Sequence, residues 1–145
     1  MKATVFSKAV VMMAVVMASV MSFSASAATP ADYVKNEKMT GELMTAKTIF
    51  RNEGGYLFRH LRYTYTYDSE NRVTSKEAFK WDSVKEVWVP YFKLDVEYTD
   101  SEVELNYARW NSRNNAYDSY TQTAVYEQDD SNAALMLASL TYSHP

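Results

Sequence analysis

Along residues 56–67 apolar and polar positions alternate. Leu57, Leu61, Tyr63, Tyr65 and Tyr67 fall on one side, against His60, Arg62, Thr64 and Thr66 on the other. The same period of two runs through residues 87–98, where Trp88, Phe92, Leu94, Val96 and Tyr98 oppose Lys93, Asp95 and Glu97. Successive side chains of a strand point to opposite faces, so each run predicts a strand with one buried and one wetted side. Seven runs are legible: Met44–Arg51, Tyr56–Tyr67, Val73–Trp81, Val87–Tyr98, Val103–Trp110, Ala116–Tyr126 and Ala133–Ser143. The turns between them are short and rich in Asp, Asn, Ser and Gly, and connections of that length join antiparallel neighbours. The expectation is an all-β fold, an antiparallel meander of six or seven strands built from hairpin repeats and curved into an open sheet or partial barrel. The last run is two-sided. Ala-Ala-Leu-Met-Leu-Ala-Ser-Leu favours a helix by propensity, while its place at the end of a meander favours a final strand, which is the expectation taken.

The alternation carries a longer period. Trp81-Asp82-Ser83 returns 29 residues later as Trp110-Asn111-Ser112. An aromatic residue follows seven places on (Trp88, Tyr117) and a tyrosine ten places on (Tyr91, Tyr120). Tyr67 and Tyr98 each lie 17 residues after Phe50 and Trp81, and Tyr126 lies 16 after Trp110. Three hairpin units therefore begin at Phe50, Trp81 and Trp110, and repeats of this size share one continuous core. The register makes Trp81 and Trp88, and likewise Trp110 and Tyr117, cross-strand partners.

The N-terminus follows another logic. Lys2 and Lys8 precede an apolar stretch from Ala9 to Phe23, and Ala25-Ser26-Ala27 supplies the small residues of a cleavage site. This is the three-part pattern of a secretory signal over residues 1–27, although an apolar stretch of this length can also anchor in a bilayer. Residues 28–43, with Pro30 and several charges, read as a flexible leading segment, and residues 44–145 as a single β-meander domain. Cleavage removes Lys2 and Lys8 and no acid, so the formal charge of −3 becomes −5. An acidic domain is a poor nucleic-acid binder, and no membrane association is expected after cleavage. The chain has no cysteine. That excludes disulfides, thiol catalysis and thiolate metal sites, so the core alone must hold the fold.

The segment Tyr65-Thr66-Tyr67-Asp68-Ser69-Glu70-Asn71-Arg72-Val73 resembles the Tyr-Asp (YD/RHS-like) repeat of large secreted bacterial shell proteins, Y-x-Y-D-x-x-G-R, with Asn71 in place of Gly. Tyr98-Thr99-Asp100 and Tyr126-Glu127 depart further from that pattern. From Thr45 to Tyr126 the tyrosine-rich hairpins and W-[DN]-S turns, behind a signal peptide, resemble the short exported domains of unknown function of Bacteroides-type bacteria. That resemblance implies a β architecture and a secreted or periplasmic location in a Gram-negative bacterium. It carries over no catalytic residue.

Little chemistry can be assembled from the remaining residues. Of the two histidines, His60 falls on the polar side of its strand beside Arg59 and Arg62, and His144 adjoins the C-terminus. Glycine occurs only at 41, 54 and 55, so no phosphate-cradling loop exists. Asp129-Asp130-Ser131-Asn132 lacks the spacing of a calcium loop and reads as a turn. No metal or cofactor is expected. Asp95, Glu97, Glu102 and Glu104 could pair across neighbouring strands as glycosidase acids do. Exposed aromatics are the stronger lead: Tyr91, Trp110, Tyr120 and Tyr126 are expected opposite the core face or at its rim, where they would form a platform for carbohydrate or protein. The competing reading makes these rings core. Two free sheet edges would also permit strand addition by a partner. The functional expectation is an exported, non-enzymatic binding or structural module; the alternative is a small periplasmic hydrolase using paired carboxylates.

Overall fold

The computed structural model describes residues 32–141. The signal segment and His144 lie outside the described residues. Eight strands and one helix follow in order: β1 (Asp32–Thr40), β2 (Leu43–Glu53), β3 (Tyr56–Tyr67), β4 (Val73–Asp82), β5 (Val87–Tyr98), β6 (Glu102–Asn111), β7 (Ala116–Tyr117), β8 (Gln122–Glu127) and α1 (Ser131–Thr141). Each strand pairs antiparallel with its predecessor from β1 to β7, and β8 returns to pair with β6. The described residues thus form an all-β antiparallel meander in one open sheet with one short helix.

Three expectations about the elements need correction. The leading segment contains β1, paired with β2 over its whole length. Only Tyr33 in β1 is more than marginally covered, so this edge strand shows no alternation to read. The run Ala116–Tyr126 is two strands, β7 and β8, interrupted at residues 118–121. The final run is a helix rather than a strand. Asp130 caps it by accepting the Asn132 N–H at 2.8 Å. Ala133, Met136 and Leu140 then form its buried stripe. At its other end the Lys47 ammonium donates to the Thr141 carbonyl oxygen at 2.9 Å and pairs with Glu37 at 3.1 Å. A cation at a helix C-terminus meets the negative end of the dipole.

The helix packs on the face that carries the core, where Leu61, Tyr63, Ala78, Phe92, Leu94 and Leu105 converge with its own stripe. The opposite face is set by two irregularities at equivalent places in the repeat. Ile49 opposes Leu61 but Phe50 opposes Arg59, which leaves His60 as an extra residue in β3. Ala78 opposes Phe92 but Phe79 opposes Pro90, which leaves Tyr91 extra in β5. His60, Tyr91 and Tyr120 each fall ten residues after Phe50, Trp81 and Trp110, and Tyr120 lies in the break between β7 and β8. One extra residue reverses the facing of every side chain beyond it. Trp88, expected to share a face with Phe92, is therefore turned to the uncovered side. His60, expected on the polar side, turns to the core side, with its ring 5.6 Å from that of Tyr33.

Candidate functional site

Beyond the bulges, the face away from the helix is built from matched cross-strand pairs. Trp81 opposes Trp88 with ring centroids 5.2 Å apart at 65°. Trp110 opposes Tyr117 at 5.1 Å and 77°. Edge-to-face contact is the arrangement the ring quadrupole favours. The first hairpin offers Phe50 opposite Arg59, and the Arg59 guanidinium reaches across to lie 4.6 Å from the Trp81 ring centre. The four rings of the two aromatic pairs are half-buried, each packed against its partner, and the Tyr117 hydroxyl is buried without a hydrogen-bond partner.

The turns that end these hairpins repeat as faithfully as the rings. Asp82 Oδ1 accepts the backbone N–H groups of Val84 and Lys85, both at 3.0 Å. Asn111 Oδ1 accepts those of Arg113 and Asn114 at 3.1 and 3.3 Å. A short polar side chain that closes the turn on its own backbone fixes where the two strands begin. It thereby fixes which residues of those strands face each other.

Polar groups flank the rings. The Lys93 ammonium lies 2.8 Å from Asp95 Oδ2 and 5.6 Å from the Tyr117 ring centre. The Tyr120 hydroxyl donates to the same Asp95 oxygen at 3.0 Å. The hydrogen bond to Asp95 raises the Lys93 pKa, and the same carboxylate raises that of Tyr120. Burial, then the carboxylates of Glu77 and Asp95, push the Tyr117 phenol up to about 12. Lys93, Tyr117 and Tyr120 therefore each keep one charge state across the neutral range.

The four expected binding residues separate. Trp110 and Tyr120 come to the open face, and Tyr120 is 51 % exposed. Tyr91 does not: the bulge turns it to the core side, where its ring lies 5.3 Å from Phe92 and the Lys80 ammonium sits 3.7 Å from its centre. Tyr126 is buried opposite Val103 and belongs to the core, because it shares the core side of β8 with Ala124. Phe50, Arg59, Trp81, Trp88 and Tyr117 are not among the binding residues expected from the sequence. The signal for them was the repeat itself, which makes Trp81, Trp88 and Tyr117 equivalents or partners of Trp110.

The four candidate carboxylates fall at separate places, and Glu102, opposite Glu127, borders an open surface depression with Asp100 and Asp129. Glu97 faces Glu104 across β5 and β6, while Asp95 is held by Lys93 and Tyr120, and Glu104 accepts from Asn106 Nδ2 at 2.8 Å. Among the described residues no group of three or more His, Asp or Glu could hold a metal ion. Also among them, no helix is long and apolar enough to cross a membrane. Burial, then Arg51 and Lys80, lower the His60 pKa, so this imidazole is a neutral ring packed beside Tyr33.

Comparison with known proteins places these features in a group. The model of a family of unknown function, DUF3836, matches residues 1–128. A DUF3836 family protein from Bacteroides vulgatus ATCC 8482 has a similar crystal structure, with TM-score 0.62 and 27 % identity over 65 % of this chain and 97 % of that one. Another, from Parabacteroides distasonis ATCC 8503, gives TM-score 0.60 and 25 % identity over 72 % of this chain and 97 % of that one. A protein with unknown function from Bacteroides fragilis NCTC 9343 shares the fold, at TM-score 0.62 and 22 % identity over 71 % and 76 % of the two chains. No curated protein matches the chain.

Proposed function

We propose, from the premise that the chain belongs to the DUF3836 family of unknown function, that it is an exported, non-enzymatic binding module that holds carbohydrate on its open sheet face. The observation that carries this reading is the pair of half-exposed edge-to-face ring contacts, Trp81–Trp88 and Trp110–Tyr117, at equivalent places on the side away from the helix. Flat apolar rings interleaved with hydrogen-bonding groups suit sugars, whose rings present apolar C–H faces and polar edges. Arg59, Lys93, Asp95 and Tyr120 supply those polar groups. The basic start, apolar stretch and Ala25-Ser26-Ala27 site support export, as does the likeness of Tyr65–Val73 to secreted Tyr-Asp repeats.

A glycan array probed with the purified protein tests the reading. The expected result is retention on a defined set of glycans, lost in Trp81→Ala and Trp110→Ala variants whose circular dichroism matches the parent. Absence of binding to any glycan, with a protein captured through the same face, would overturn it. Export is checked by mass spectrometry of the protein from its host: the expected start is Ala28, and an intact Met1 in the membrane fraction would refute it.

A further inference from the structure

We infer that the end of the sheet where residues 54–55, 83–86 and 112–115 turn is a membrane-docking surface, whose hairpin tips enter the headgroup region of an anionic lipid bilayer. This goes beyond the glycan reading and does not depend on it. Among the described residues nine large hydrophobic side chains are exposed, and five of them sit beside the first two of these turns. They are Tyr56, Leu57 and Phe58 after the first turn, and Val84 and Val87 in and after the second, with Tyr56 74 % and Val84 91 % exposed. An apolar cluster rimmed by polar residues marks a surface that something else covers. The first tip reaches furthest. Leu61 pairs with Lys80 and Arg59 lies against Trp81, so Tyr56, Leu57 and Phe58 stand beyond that level. All three tryptophans of the chain, Trp81, Trp88 and Trp110, also lie at this end, and such rings favour the boundary between headgroups and water.

Charge selects the occupant. Residues 51–59, 80–88 and 109–117 hold six cations, Arg51, Arg59, Lys80, Lys85, Arg109 and Arg113, against three acids. Two of those acids, Glu53 and Asp82, already face Arg51 and Lys85 at 2.8 and 4.0 Å, so the surplus at this end is positive. The opposite end, residues 38–43, 67–73, 98–103 and 127–132, holds eight acids and two cations. Overall acidity is the reason composition predicts no membrane association, but the meander sends the two signs to opposite ends. An anionic surface attracts one end and repels the other, which orients the molecule tips first. Shape favours a bilayer over a protein partner. The exposed side chains stand on projecting tips, which offer a rigid partner little area to match, whereas a fluid headgroup layer closes around them.

Co-sedimentation of the protein recovered from its host with lipid vesicles tests the inference. Phosphatidylcholine vesicles with about 30 mol % phosphatidylglycerol should bind it about tenfold better than phosphatidylcholine alone, and raising salt from about 0.05 to 0.5 M should remove most of that difference. Leu57→Ser combined with Phe58→Ser should weaken the partition about tenfold or more. Lys85→Ser and Arg113→Ser, both in exposed turns, should each weaken it about fivefold, and they carry the test if the paired tip variant fails to fold. Leu135→Ser, which removes a comparably exposed residue from α1, should leave the partition unchanged. Absence of retention on either vesicle, or retention that ignores phosphatidylglycerol, would overturn the inference. So would retention that survives both the tip and the charge substitutions, or a loss as large in Leu135→Ser.

Discussion

The Tyr67 hydroxyl donates to the Met44 carbonyl oxygen at 2.6 Å, tying the end of β3 to the start of β2. Its repeat equivalent, Tyr98, does the same to the Val73 carbonyl at 2.8 Å, joining β5 to β4. These phenols close the open end of each hairpin, opposite its turn. Tyr65, two residues before Tyr67 and 4 % exposed, has a buried hydroxyl without a partner. A made hydrogen bond is worth about 1 kcal/mol, whereas a buried unmade one costs about 1–3 kcal/mol. Tyr67→Phe and Tyr98→Phe should each lose about 1 kcal/mol, and Tyr65→Phe should be neutral or gain about 1 kcal/mol. Denaturant melts of the three variants check this; a Tyr65→Phe loss equal to that of Tyr67→Phe would contradict it.

The turns supply a second contrast. Glu86 and Asn115 occupy equivalent turn positions with φ of 54° and 51°, and Asn71 has φ of 62°. The left-handed region costs an ordinary L-residue about 1–2 kcal/mol, and asparagine tolerates it better than glutamate. Glu86→Asn should therefore raise stability by about 0.5–1 kcal/mol, while Asn71→Val should lower it by about 1–2 kcal/mol. Thermal melts of both variants decide the matter. A Glu86→Asn variant less stable than the parent would show that the glutamate is held by something other than its backbone.

Most of the sheet was legible because alternation is a property of the chain itself. The runs Tyr56–Tyr67 and Val87–Tyr98 match β3 and β5 end to end. Pairing of Trp81 with Trp88 and of Trp110 with Tyr117 followed from the 29-residue repeat. What alternation cannot reveal is an extra residue. His60 and Tyr91 are ordinary strand formers, and only the pairing partner shows that they are unopposed. Counting straight through them put Trp88 on the core side and His60 on the polar side. The ten-residue spacing was visible but gave no reason to place a bulge there. The helix was missed differently: Asp130-Ser131-Asn132 is a capping sequence just ahead of an alanine- and leucine-rich run, and the meander's momentum outweighed it.

The bulge at Tyr91 makes a direct prediction about the two large rings on either side of it. Phe92, 2 % exposed, fills the core, whereas Trp88 lies half-exposed against Trp81 on the other face. Phe92→Ala should cost about 3–5 kcal/mol, as buried aromatics do, and Trp88→Ala only about 1–2 kcal/mol despite the larger ring. Equal losses in urea melts would mean that Trp88 is a core residue and the uncovered face is not open.

A lysine in the core makes stability depend on pH. Lys76 is 7 % exposed, its ammonium 4.6 Å from the Tyr63 ring centre and 5.9 Å from that of Tyr65. Burial, reinforced by Lys47 nearby, lowers its pKa from 10.5 to about 8. Between those values the unfolded chain holds the proton and the folded chain has released it, so folding is favoured as pH rises through this interval. Below pH 8 both states are charged and the full cost of the buried ammonium applies, about 3 kcal/mol. The opposite effect sets in at higher pH. Burial raises the phenols of Tyr65 and Tyr117, so above about pH 10 the unfolded chain loses those protons first and stability falls. Urea melts from pH 7 to 11 should therefore show stability climbing above pH 8, cresting near pH 10 and then declining. Lys76→Met should be the more stable protein at pH 7 and should lack the climb while keeping the decline. A parent profile flat between pH 7 and 10, or the same climb in Lys76→Met, would show that this ammonium is not what the core is carrying.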